Sequence, residues 1–144
     1  MPAAGECLAC HGGRKSFVLG YSAVQLGAVA LPGSETDQRA LGYLHANCGH
    51  CHNQDRPAAA SSRCYDPENE LDFWLRTELV SSVTDTPTYR SGRGTAFDPG
   101  APSNSRMVEL MSDRGFLRQM PPLGTELVDQ HGLSTVRAWI ASLH

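Results

Sequence analysis

The sequence lacks the features that assign a chain to several common classes of protein. It has no apolar stretch close to the ~20 residues that a membrane span needs, because residues 17–32 are interrupted by glycines and polar side chains. It has no basic run and a formal net charge of −3, so nucleic acid is not an expected partner. Only 40% of its residues are hydrophobic, which is slightly low for a core built entirely from side chains. A large apolar cofactor would supply additional core volume.

The cysteines carry the strongest pattern in these 144 residues. Five cysteines occur, and four of them form two C-x-x-C pairs, each followed directly by histidine. The two motifs consist of Cys7, Cys10 and His11, and of Cys48, Cys51 and His52. C-x-x-C-H is typical of covalent haem c attachment. Two thiols about one helical turn apart reach the two vinyl groups on one porphyrin edge, and the adjoining imidazole points at the iron. The sequence therefore predicts two covalently attached haems.

Three alternatives for the cysteine pairs remain open at this stage. A zinc site is one, but zinc ribbons favour ~15–20 residues between the pairs, whereas here residues 11–47 separate them. A thioredoxin-like redox pair is another, but it needs a βαβ context that the sequence does not show. Structural disulfides are the third, since an exported protein can form them. We expect the fifth cysteine, Cys64, to be an inert thiol.

Three segments with helical periodicity predict an all-α fold. The first, residues 35–51, has Ser34 or Thr36 as its cap and delivers the second haem motif. Another runs from Pro102 to about Arg114, with Ser103 as its cap. The last begins at Asp129. Its expected buried stripe comprises Leu133, Val136, Ile140 and Leu143.

Two further segments give weaker signals. Residues 70–80 fit a short helix or an irregular strand. Residues 81–102 contain three prolines and three glycines, and we expect an exposed, mobile loop there.

From Leu41 onward the chain resembles class I cytochrome c. That family has an N-terminal helix ending in C-x-x-C-H, a methionine-bearing loop and a C-terminal helix that crosses the first. The matching segments are Gly42-x-x-His45-x-x-Cys48-x-x-Cys51-His52, Met120-Pro121-Pro122-Leu123-Gly124 and Leu133-x-x-Val136-x-x-Trp139-Ile140. Residues 43–52 are also similar to haem domains at the C-termini of larger exported bacterial proteins. The resemblance implies a class I cytochrome c-like domain over 36–144 and an N-terminal extension, 1–35, that carries the first haem motif.

The resemblance also implies the ligands of the second haem. His52 would be its proximal ligand and Met120 its distal ligand, a pair that raises the reduction potential relative to two histidines. His11 would be the proximal ligand of the first haem. No motif marks the distal ligand of that haem, and our first choice is His45, for which a hydrogen-bonded helix histidine is the alternative. The other candidates are His50, His131, Met107 and Met111.

These expectations together describe a dihaem electron carrier rather than an enzyme. Covalent haem attachment normally takes place on an exported chain, so we expect a periplasmic or extracellular protein whose leader is not part of this sequence. Its partners would be a redox donor and acceptor, such as a dehydrogenase or other cytochromes. The alternatives are a small peroxidase-like enzyme with an open first haem, and an electron-accepting module of a larger dehydrogenase or haem-protein assembly.

Overall fold

The fold is helical. A computed structural model describes residues 11–13, 20–56, 68–115, 118–122 and 126–144. Within these ranges the chain forms four α-helices and no β-strand, which confirms the predicted all-α class. The helices are α1 (Glu35–Asn47), α2 (Pro87–Gly92), α3 (Arg106–Ser112) and α4 (Gln130–Ser142), with 3₁₀ turns at Thr77–Leu79 and Pro102–Asn104.

Helix α1 begins where its sequence predicts. The Ser34 hydroxyl accepts a hydrogen bond from the Asp37 amide, and the Asp37 carboxylate accepts one from the Ser34 amide at 2.7 Å. This reciprocal capping box satisfies two backbone donors at the helix start and places acidic charge at its positive end. The helix ends at Asn47. The second haem motif therefore lies in the turn after the helix rather than within it.

Helix α4 packs against α1 and forms the centre of the core. All four residues of its predicted stripe are buried. Trp139 is also fully buried, and its ring nitrogen donates a hydrogen bond to the Asp37 carboxylate at 3.1 Å. Leu41 and Leu44 of α1 are likewise fully buried. The two helices are thus held together by apolar burial, by this hydrogen bond, and by one from the Tyr43 hydroxyl of α1 to the carboxylate of Asp129, which caps α4.

The prediction of an exposed loop over 81–102 is wrong. Thr86 caps helix α2 and Pro87 occupies its first turn, where a missing amide hydrogen costs nothing. Tyr89 and Phe97 are buried, and the Phe97 ring packs edge-on against Trp139 with 4.9 Å between ring centroids. The segment therefore contributes to the core despite its prolines and glycines.

Helix α3 is shorter than the predicted segment from Pro102 to Arg114. A 3₁₀ turn precedes it, and Ser105 rather than Ser103 stands at the N-cap position, directly before Arg106. The Ser105 hydroxyl donates to the Ala101 carbonyl and accepts from the Asp98 amide, so it holds the turn instead of capping the helix. The buried face of α3 consists of Met107, Val108 and Met111.

Part of the predicted N-terminal extension belongs to the same core. Val24 is buried and Leu31 packs against the buried cluster that includes α1 and α4. None of the helices in the described ranges combines the length and apolar character that a bilayer span requires.

Substitution of Asp129 tests the start of α4. Its carboxylate accepts hydrogen bonds from the Gly132 amide at 2.9 Å and the Tyr43 hydroxyl at 3.0 Å. Asp129→Ala is therefore expected to lower the free energy of unfolding by about 1 kcal/mol at neutral pH. Urea denaturation measures this difference, with the exposed Glu126→Ala as the control, for which we expect a change of less than about 0.5 kcal/mol.

The same difference should depend on pH. The hydrogen bonds from Gly132 and Tyr43 hold the pKa of Asp129 below its ordinary value of 3.8. A carboxyl whose pKa is depressed by folding stabilises the protein above its unfolded-state pKa, and this contribution is lost as the pH falls through the folded-state pKa. The difference between wild type and Asp129→Ala should therefore shrink below about pH 4. A difference that persists at lower pH would contradict this account.

Candidate functional site

The second haem motif folds into a tight turn at the end of α1. The amides of Cys51 and His52 both donate to the Cys48 carbonyl, at 3.1 and 2.9 Å. Gly49 is required inside this turn, because a Cβ atom there would lie 2.6 Å from the His45 carbonyl oxygen. No disulfide joins Cys48 to Cys51. Burial, with a smaller contribution from Cys51, raises the pKa of Cys48 to about 12, so its sulfur is a neutral thiol at physiological pH.

This turn borders an apolar cleft of about 250 Å³. Cys48, Cys51 and His52 line the cleft. Leu71 and Phe73, from the extended segment before the first 3₁₀ turn, also line it. Helix α3 and residues 120–122 complete the lining. The cleft is slightly smaller than the ~300–1,000 Å³ of typical ligand pockets. It brings together residues that lie far apart along the chain.

His52 is held in a neutral state at the edge of this cleft. Its backbone carbonyl accepts from the Phe73 amide at 2.9 Å, and the two rings pack edge-on with 5.5 Å between centroids. Burial, and secondarily the positive charge of Arg56, lowers the pKa of His52 to about 4. Within the described residues its buried Nδ1 atom makes no hydrogen bond. A neutral imidazole has a nitrogen lone pair available for a metal.

Met120 lines the same cleft. Its backbone amide donates to the Leu110 carbonyl at 2.9 Å, which ties the Met-Pro-Pro segment to α3. Its half-buried side chain lines the cleft together with Met107 and Met111. The structure therefore places Met120 at the cleft that His52 also lines. Met107 and Met111, considered above for the first haem, also lie at this cleft.

His45 is placed differently from the expectation that it ligates the first haem. It is fully buried, its Nδ1 accepts a hydrogen bond from the Leu75 amide at 3.0 Å, and its Nε2 lies 2.7 Å from the Ser22 hydroxyl. Because Nδ1 is an acceptor, the proton of the neutral ring resides on Nε2, which then donates to Ser22. Iron binding through Nε2 would place the proton on Nδ1, against the Leu75 N–H. This arrangement corresponds to the alternative given above, a hydrogen-bonded helix histidine.

The first haem motif is described only in part. Cys7 and Cys10 lie outside the described residues, as does Cys64. His11 is described and has an exposed side chain. Of the other candidate ligands, His50 packs beside Trp74 with 5.5 Å between ring centroids, and His131 is exposed on α4. The structure thus brings Cys48, Cys51, His52 and Met120 to one cleft, and the second ligand of the first haem stays a prediction.

No sequence pattern marks two further residues at or beside the site. Arg106 of α3 lines the cleft and forms a 2.6 Å ion pair with Glu109. Asn53, directly after His52, is buried with only 2% of its surface exposed, which is unusual for an amide side chain. A polar residue beside a haem motif and an arginine on a helix are too common to be singled out from sequence.

Within the described ranges, no three histidine, cysteine or acidic side chains lie together as a group that could hold a metal ion. A zinc site built from all four motif cysteines would include two residues outside those ranges. No family model, curated protein or solved structure matches this chain.

Proposed function

We propose that this protein is a dihaem c-type cytochrome that transfers electrons between redox partners outside the cytoplasm. One observation carries the proposal. Cys48, Cys51 and His52 line the same apolar cleft as Met120, although Met120 lies far along the chain from the motif. The two thiols and the imidazole come from one local turn, and the tertiary fold adds the thioether of Met120 to the same cleft.

The arrangement of elements supports a class I cytochrome c fold for residues 36–144. Helix α1 ends at the C-x-x-C-H motif and packs against the C-terminal helix α4. The methionine-bearing segment lies between α3 and α4 in sequence and lines the same cleft as the motif. These are the three features that the resemblance implies.

The donor set of the cleft fits a covalently attached haem. Cys48 and Cys51 would form the thioethers, and His52 and Met120 would ligate the iron. A haem held by these residues would supply one-electron redox chemistry rather than an open site for oxygen or peroxide. Leu71 and Phe73 would give it apolar surroundings.

Other side chains of the cleft would orient the cofactor. The low pKa of His52 keeps its imidazole neutral, so no proton has to be displaced before it binds metal. Arg106 is in position to pair with a haem carboxylate, because guanidinium groups form strong charge-assisted hydrogen bonds with carboxylates. The donor and acceptor would be redox proteins, such as a dehydrogenase or other cytochromes.

The test is to count haems in the exported protein. We expect intact mass to show two covalently added haems and the oxidised protein to have a low-spin spectrum. Replacing both cysteines of either motif with serine should remove one haem and leave the other. The matched double variants are Cys7→Ser with Cys10→Ser and Cys48→Ser with Cys51→Ser.

Three outcomes would change the proposal. A mass with one haem that only the Cys48/Cys51 variant removes would eliminate the first haem. A high-spin component in the oxidised spectrum would favour the peroxidase-like alternative with an open first haem. A colourless protein that retains stoichiometric zinc would replace haem with a zinc site.

A further inference from the structure

Asn53 joins the two haem motifs through one buried side chain. Its Nδ2 atom lies 2.9 and 3.0 Å from the carbonyl oxygens of Gly49 and His50, both within the second motif. The same atom lies 3.0 Å from the carbonyl oxygen of Gly13. Asn53 directly follows His52 in the chain. The side chain is therefore bonded at once to the second motif and to the segment that follows the first.

The orientation of the Asn53 amide is fixed by its surroundings. Its Oδ1 accepts a hydrogen bond from the Asp55 amide at 3.0 Å, so the NH₂ group must face the three carbonyls. Gly13 comes two residues after His11, and Asn53 comes one residue after His52. A single hydrogen bond, from the Asn53 side chain to the Gly13 backbone, thus links residues that closely follow the two histidines expected to bind iron.

A second contact holds the N-terminal segment beside the same turn. The Nε2–H of His45 donates to the Ser22 hydroxyl, and the His45 ring packs on Trp74 with 4.3 Å between ring centroids. His45 lies one helical turn before Cys48. Residues on both sides of the second motif, one before it and one after it, therefore bond to residues 13 and 22.

We propose that Asn53 and His45 are positioning residues that hold Gly13 and Ser22, and with them the N-terminal segment, against the turn of the second motif. This inference rests on the proposed dihaem function, because the same contacts would bring the two predicted haems close together.

The experiment compares the exported holoprotein with Asn53→Ala. We expect the wild type to show a split Soret circular-dichroism band, because two nearby haem transitions couple, and we expect Asn53→Ala to lose this splitting while its absorbance remains low-spin. Hydrogen exchange in a peptide covering residues 11–31 should accelerate by on the order of tenfold, since the buried hydrogen bond to the Gly13 carbonyl is removed. Gln54→Ala is the matched control, because Gln54 is exposed and bonds only the Glu70 carbonyl in the described contacts.

The outcomes separate this inference from the proposed function. Two haems by mass with an unsplit Soret band in the wild type would overturn the docking and leave the dihaem function intact. One haem by mass would remove both. Unchanged splitting and unchanged exchange in Asn53→Ala would also overturn the inference. If Asn53→Ala does not yield folded protein, Ser22→Ala replaces it in the measurements of Soret splitting and hydrogen exchange. No change in either measurement would overturn the inference.

Discussion

Met120→His is expected to lower the reduction potential of the second haem by roughly 0.2 V, within the ~0.8 V range over which axial ligands set haem potentials. A thioether favours the reduced iron, whereas a second imidazole favours the oxidised iron. Redox titration followed by absorbance measures the shift. Because Met120 lines the same cleft as His52, the change should affect the proposed second haem and shift the potential of the first by only a small fraction of that value.

Leucine variants identify which methionine is the ligand. Met107, Met111 and Met120 all line the cleft, and methionine to leucine nearly conserves volume, at a usual cost below about 1.5 kcal/mol. We expect Met120→Leu to give the oxidised second haem a high-spin spectrum. Met107→Leu and Met111→Leu should keep it low-spin, because both residues belong to the buried face of α3. A high-spin spectrum in Met111→Leu instead would move the ligand from the loop to α3.

The parts of the fold that could be predicted from sequence are those specified by local signals. Helices α1 and α4 combine helical periodicity with side-chain caps, Ser34 and Asp129, and both begin where these residues predict. Residues 81–102 were wrongly expected to be exposed because proline and glycine dominate the local pattern. The Thr86-Pro87 pair is a helix start signal in that segment. The burial of Phe97 depends on Trp139, which no local pattern shows.

The same distinction applies to the site. The C-x-x-C-H turn is local, so Cys48, Cys51 and His52 could be identified from spacing alone. The other residues that line the cleft are brought there by the tertiary fold, and Met120 could be identified only through the resemblance to a family. Asn53 could not be found from sequence, because its importance arises from three carbonyl groups in two distant segments. An asparagine after a histidine has no distinctive pattern of its own.

His45→Ala is expected to lower the free energy of unfolding by about 3 kcal/mol. The substitution leaves a cavity at a fully buried position and removes the acceptor of the Leu75 amide. His45→Asn should cost roughly half as much, because an asparagine oxygen can replace Nδ1 as that acceptor while the bond to Ser22 is lost. Chemical denaturation of the holoprotein measures both changes.

The same variants distinguish a core histidine from an iron ligand. If His45 is a hydrogen-bonded core residue, both His45→Asn and Ser22→Ala should weaken docking of the N-terminal segment. The first haem should then keep its spin state in both variants. If its Nε2 instead binds the first iron, His45→Asn converts that haem to high-spin, whereas Ser22→Ala leaves the ligand in place and the spectrum unchanged. The hydrogen bond from the Leu75 amide to Nδ1 predicts the first result, since a histidine that binds iron through Nε2 carries its proton on Nδ1 and cannot accept there.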